Sequence, residues 1–119
     1  MAWELDADRP IYAQLVERIQ REIVSGKYQP GEKLPSVRDL AAVAAVNPNT
    51  MQKAFAELER SGLIMTQRTN GRTVTENTEM ISNTREKLAA GHMRNFIDNM
   101  QELGYDTGEI RELLAKMQS

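Results

Sequence analysis

SVRDLAAVAAVNPNTMQKAFAELERSG, residues 36–62, reads as two short helices with a tight turn between them. Ser36-Val37-Arg38-Asp39 has the form of a capping box with Asp in the usual Glu position, and it opens a helix carrying Leu40, Ala41, Val43 and Ala44. Asn47-Pro48-Asn49-Thr50 restarts the pattern. Asn47 suits an N-cap, and Pro48 suits the first helical position, where its missing N–H would be unpaired anyway. Met51, Ala54, Phe55 and Leu58 then recur at i, i+3, i+4 and i+7, one apolar face, until Gly62 stops the helix. With only Ala44-Ala45-Val46-Asn47 to join them, the two helices spell a helix-turn-helix.

On the N-terminal side, Ile11, Leu15, Ile19 and Ile23 recur every four residues with Tyr12 and Val16 beside them. That predicts a helix over residues 10–25, opened by Pro10 and stopped at Gly26. Tyr28-Gln29-Pro30-Gly31 reads as a turn, and Lys33-Leu34-Pro35 as a short extended segment, because a residue before proline is pushed out of the helical region. On the C-terminal side, the β-forming runs at residues 63–67 and 72–75 flank Arg68-Thr69-Asn70-Gly71, and Asn-Gly between such runs signals a hairpin. From Thr78 the period returns to that of a helix, through Ile81, Leu88, Met93, Phe96, Ile97, Met100 and Leu103 to a stop at Gly104. Gly91 lies inside it, at a cost of ~1 kcal/mol relative to alanine. Thr107 is placed to cap a last helix, whose apolar edge is Ile110, Leu113, Leu114 and Met117. The fold class expected is mainly α with a small β-hairpin wing: a winged helix-turn-helix over residues 1–76 and two C-terminal helices over 77–119.

The chain of 119 residues is 40% hydrophobic and 27% charged, with room for one compact domain, or a small domain plus an appended element. No apolar run approaches the ~18 to 20 residues that cross a bilayer. The acidic start, Met-Ala-Trp-Glu-Leu-Asp-Ala-Asp, has neither the basic nor the apolar region of a secretory signal, and there are no cysteines. A cytoplasmic protein without disulfides is expected. The net charge of −2 conceals an asymmetry. Residues 1–32 carry 4 basic and 6 acidic groups, residues 33–75 carry 6 and 3, and residues 76–119 carry 5 and 8. The helix-turn-helix and wing are thus the basic part, as a polyanion partner would favour.

In a helix-turn-helix the second helix offers its N-terminal residues to the DNA major groove. Here these are Asn47, Asn49, Thr50, Gln52 and Lys53, beside the more structural Pro48. Amides pair bidentately with adenine edges, hydroxyls and N-terminal N–H groups suit phosphate, and lysine reaches guanine or phosphate. Arg38, in the first turn of the preceding helix, is placed for phosphate or a guanine edge, while Arg68 and Arg72 flank a hairpin tip suited to an adjacent minor groove. Asn47 has two uses, as a cap and as a contact. Lys53 and Arg60 serve equally well as solvated helix residues.

Four ordered blocks now carry a resemblance: Pro10 to Leu15, Pro30 to Ala41, Val46 to Thr50, and Leu58 to Ile64. Over residues 9–75 the chain resembles the GntR-type transcription regulators. The resemblance implies a DNA-binding domain with Ser36, Arg38, Asn47, Asn49, Thr50, Gln52 and the wing glycine, Gly71, at contact positions. In the wing, Thr69 stands where the family pattern has its first glycine and Arg72 where it has threonine. About 44 residues follow the wing. They resemble the YtrA-like branch, which implies a helical dimerisation element and a repressor encoded near transporter genes. The physical reading agrees, since two amphipathic helices cannot bury both apolar edges alone and a partner chain would cover them. The expected partners are therefore a second copy of the chain, joined through Ile81, Leu88, Met93, Phe96, Ile97, Met100, Leu103, Ile110, Leu113, Leu114 and Met117, and a palindromic double-stranded operator.

Other readings are weighed against these. Met93, Phe96 and Met100 fit a core or dimer interface better than an effector pocket, although flexible methionines do suit an adaptable small-molecule site. His92, the single histidine, reads as a packed or exposed residue, and neither a metal site nor another cofactor is expected. No nucleophile with a base, carboxylate pair or phosphate-cradling loop points to an enzyme. The competing function is a winged-helix protein-interaction module that works through its acidic C-terminal helices without specific DNA binding.

Overall fold

The computed structural model describes residues 2–118. Five helices and one hairpin follow in the order α1 (Ile11–Val24), α2 (Val37–Ala44), α3 (Pro48–Ser61), β1 (Ile64–Gln67), β2 (Gly71–Val74), α4 (Thr78–Glu102) and α5 (Thr107–Met117). The chain forms two compact units, a first through Arg85 and a second from Glu86. The sequence pattern placed a boundary at 76/77, where strand gives way to helix, whereas the compact units meet within α4.

In the first unit the apolar faces read from the sequence converge on one core. Leu15, Ile19 and Ile23 of α1, Leu40, Ala41 and Ala44 of α2, and Met51, Ala54, Phe55 and Leu58 of α3 are all buried, and the hairpin closes the cluster with Leu63, Ile64 and Val74. Each large side chain buried in this way contributes about 1.5–3 kcal/mol, so the four-residue spacing that makes the helices amphipathic also assembles them. Trp3 and Leu5 pack on this core ahead of α1, and the Arg18 guanidinium lies 4.4 Å from the centre of the Trp3 ring. Ile81, in the first turn of α4, packs on the same core. The Met80 side chain lies against Gly62, where an added Cβ would come within 3.1 Å of its Cε.

β1 and β2 pair antiparallel, Ile64 with Val74 and Gln67 with Gly71. The Asn-Gly pair does not form a two-residue mirror-image turn, which requires positive φ at the first central residue. Asn70 keeps a negative φ and Gly71 alone takes φ +73°, at the head of β2. The extended segment before Pro35 lies along the other edge of β2: Lys33 bridges Thr73, the Leu34 N–H donates to the Arg72 carbonyl at 2.9 Å, and the Val74 N–H donates to that of Glu32 at 2.9 Å. The wing is in effect three-stranded at its base.

The second unit consists of the rest of α4 and α5. α4 is continuous through Gly91, where an added Cβ would meet nothing within 4 Å, and its 25 residues extend about 37 Å. The cap of α5 differs from expectation. Asp106, not Thr107, is the N-cap: its carboxylate accepts the Glu109 N–H at 2.9 Å, and the Glu109 side chain accepts the Asp106 N–H at 3.0 Å. A carboxylate facing the positive helix end, reciprocated by a glutamate three residues on, satisfies two orphan donors where the Thr107 hydroxyl offers one acceptor. Among the described residues no helix is long and apolar enough to cross a membrane.

Candidate nucleic-acid interface

Two side-chain caps expose the expected contact residues. Ser36 Oγ accepts the Asp39 N–H at 3.0 Å and starts α2, leaving Arg38 exposed in its first turn. Asn47 Oδ1 accepts the Asn49 N–H at 2.7 Å and starts α3, with Pro48 following it. Asn49, Gln52 and Lys53 are then exposed and Thr50 is half-buried, while Met51, Ala54 and Phe55 on the opposite face are sealed in the core. The alternation is a consequence of helical period: the residues that anchor α3 and those that face outward are one to two positions apart. Between the helices Ala45 takes φ +60°, ψ +48°, the left-handed conformation, so that its own N–H reaches the Ala42 carbonyl and the next, of Val46, reaches that of Ala41.

Ser36 and the head of the wing lie together. Lys33, Ser36, Val37, Gly71 and Arg72 line one groove, and a Cβ at Gly71 would stand 3.8 Å from the Lys33 Cε. Lys33 belongs to the basic segment, but no local motif marks it as a contact. Its position depends on the extended segment pairing with β2, and a segment of three residues before a proline carries no signal for that partner.

The six cations of residues 33–75 divide into two groups. Lys33, Arg38 and Arg68 are exposed and make no ion pair, side-chain hydrogen bond or ring contact with any described residue. The others are engaged. Lys53 Nζ lies 4.0 Å from the ring centre of Tyr12 on α1. Arg60 is paired with Glu57, three residues earlier on α3. Arg72 Nε donates to Glu59 Oε1 at 2.7 Å, with only about a quarter of its side chain exposed, and its guanidinium lies 5.4 Å from the Phe55 ring centre. Hydrogen bonds from Thr66 and then from Arg72 hold the Glu59 carboxyl below the usual carboxylate range. Of the two wing arginines, the hairpin tip therefore presents Arg68, and the chain itself holds Arg72.

In the second unit, His92, Met93, Phe96 and Ile97 of α4 and Ile110 and Leu114 of α5 line an apolar groove. Ile110 is buried, but Met93 is 61% exposed, Leu103 72% and Met117 84%, so the edge expected to meet a partner is largely uncovered.

The model of the family of bacterial regulatory proteins, gntR family, matches residues 11–74. The chain is 46% identical over 70 residues to the HTH-type transcriptional repressor YtrA of Bacillus subtilis, covering 59% of this chain and 54% of that one. A solved GntR family transcriptional regulator from Listeria monocytogenes superposes with a TM-score of 0.87 at 41% identity, covering 94% of this chain and 98% of that one. The DNA-binding domain of AraR, solved in complex with operators ORX1 and ORE1, superposes with a TM-score of 0.54 at 30% identity over 63% of this chain, covering 92% of that chain in the ORX1 complex.

Proposed function

The chain belongs to the GntR family of bacterial regulatory proteins, as a DNA-binding transcription regulator of YtrA-like type and not an enzyme, and from that premise we propose that it is a cytoplasmic homodimeric repressor of its own or a neighbouring transporter-type operon. The observation that carries the reading is the set of exposed, unengaged groups around the helix-turn-helix: Arg38 beside the Ser36 cap, Asn49 and Gln52 at the start of α3, and Arg68 at the wing tip. In this reading Ser36, Arg38, Lys33 and the backbone at Gly71 take phosphate. Asn47, Asn49, Thr50 and Gln52 face base edges in the major groove, Lys53 leaves Tyr12 for the nearest phosphate, and Arg68 enters the flanking minor groove.

The second unit supplies the partner contact. Its largely uncovered edge, from Leu88 through Met93, Phe96, Ile97, Met100 and Leu103 on α4 and through Leu113, Leu114 and Met117 around the buried Ile110 on α5, is apolar over a length that a second copy matches by symmetry. Two copies place two recognition helices on an inverted repeat, so the operator is a short palindrome. Met93 and Phe96 also border the groove in which a small apolar effector would compete with the partner copy, and release of the dimer by such a ligand would relieve repression. Unpaired cations in the basic segment, residues 33–75, favour DNA over a protein partner recognised by the acidic helices.

Fluorescence anisotropy with the promoter DNA of the protein's own operon tests the reading. Binding should prefer the operator over random duplex, weaken steeply with salt and saturate at two chains per site. Affinity indifferent to sequence and salt, or a stable complex with another protein in place of DNA, would reject it.

A further inference from the structure

Arg72 occupies a position where the family pattern has threonine, and several of the wing's attachments meet there. It lies in the middle of β2, directly opposite Thr66 of β1, so the two side chains share one face of the hairpin. Glu59 of α3 reaches both. Its Oε1 accepts from Arg72 Nε at 2.7 Å and its Oε2 from Thr66 Oγ1 at 2.6 Å, so each carboxylate oxygen is bound to a different strand. The guanidinium is also drawn toward Phe55, one turn back along the same helix and fully buried. On the other edge of β2 the Arg72 carbonyl accepts the Leu34 N–H, so side chain and backbone together tie the recognition helix, both strands and the extended segment before α2.

We infer that Arg72 is a positioning residue: through Glu59 it makes the wing a rigid extension of the recognition helix and fixes where the hairpin tip meets DNA, and it makes no phosphate or groove contact itself. The geometry supports this division. A charge-assisted bond from Nε to a carboxylate at 2.7 Å, with a second donor on the other carboxylate oxygen, fixes the guanidinium against α3 and offsets the charge that phosphate would attract. Leaving for DNA would strand Glu59 as an uncompensated anion at the protein–DNA boundary. Arg68 has no such tie and is the tip's cation for DNA. The threonine of the family pattern carries no guanidinium to offer Glu59, so the ion pair from β2 to α3 comes from this chain's own Arg72.

The inference rests on the DNA-binding reading for its consequence, but its test has a DNA-independent arm. The informative variant is Glu59→Gln with Arg72→Gln, which removes the ion pair without changing net charge. Operator affinity is measured against salt for wild type, Arg68→Ala, Arg72→Lys and this double variant, and amide hydrogen exchange of residues 65–73 is measured on each unliganded protein. Arg68→Ala should reduce the salt slope by about one ion. The double variant should keep the wild-type slope, bind roughly tenfold more weakly and exchange its hairpin amides roughly tenfold faster or more, as expected for loss of a directly coupled pair. Arg72→Lys, which keeps the charge near Glu59, should recover part of both losses. A slope reduced by about one ion in the double variant would make Arg72 a phosphate contact, and unchanged affinity and exchange would show that the tie positions nothing. If wild type itself fails to bind DNA selectively, the functional reading falls, while the exchange data still decide whether Arg72 holds the wing to α3.

Discussion

Lys33, Arg38 and Arg68 differ from Lys53, Arg60 and Arg72 in what surrounds them, not in residue type. An exposed cation without a partner gains the full Coulombic and ion-release benefit of meeting phosphate, whereas one already bonded to a carboxylate or seated on a ring must first give that up. Arg38, exposed and without a partner, is the proposed phosphate contact. Arg38→Ala should weaken binding to operator and random duplex alike and lower the salt slope by about one, read by titration at several salt concentrations. Asn49→Ala and Gln52→Ala should each cost about 1–3 kcal/mol at the preferred site with little change on random DNA. Equal losses on both DNAs for all three variants would reject this division of roles. The residue types and their order around Ser36 and Asn47 were legible from capping chemistry and helical period, because both act within one turn of the chain. The engagement of Arg72 was not, because its carboxylate partner lies thirteen residues earlier, on another element.

At the scale of elements, the helices begin and end close to where sequence punctuation put them, with Asn47 and Pro48 opening α3 and Gly62, at φ +87°, closing it. The hairpin and the last cap are different. The turn was expected from Asn-Gly, yet the loop places only Gly71 in the left-handed region, since the register Gln67 to Gly71 leaves three residues to cross the tip. Register follows from which face must be buried, and Ile64 and Val74 settle it by facing the core. The turn between α2 and α3 likewise contains a feature that composition does not reveal: Ala45 holds a left-handed conformation ordinarily taken by glycine. Substituting Ala45→Gly relieves a cost of about 1–2 kcal/mol, offset in part by the greater entropy of glycine in the unfolded chain. The expected outcome is a gain of up to about 1 kcal/mol and a melting temperature a few degrees higher by calorimetry. A loss of stability would mean that the alanine methyl contributes packing that outweighs the strain.

For the whole molecule, a net charge of −2 is a poor guide to a partner, because the basic excess of residues 33–75 is offset by the acidic segments on either side. A single helix-turn-helix offers few base contacts, and the exposed apolar edge of the second unit provides a means of doubling them. Phe96→Glu would place a charge in that edge without touching the first unit's core. On the proposed homodimer, sedimentation velocity should report a dimer for the wild type and a monomer for this variant, with operator affinity reduced roughly 100-fold because the second half-site is no longer held at high effective concentration. A dimer that survives this change would locate the interface elsewhere. By itself, the sequence determined the family, the succession of elements and the identity of the recognition helix, because period, caps and breakers are local signals written within a few residues. Only the tertiary structure decided which cations are free and which must first leave a partner, through Glu59 on Arg72, Tyr12 on Lys53 and the wing edge beside Lys33, because a side chain's partner is chosen across space by packing that no local pattern records.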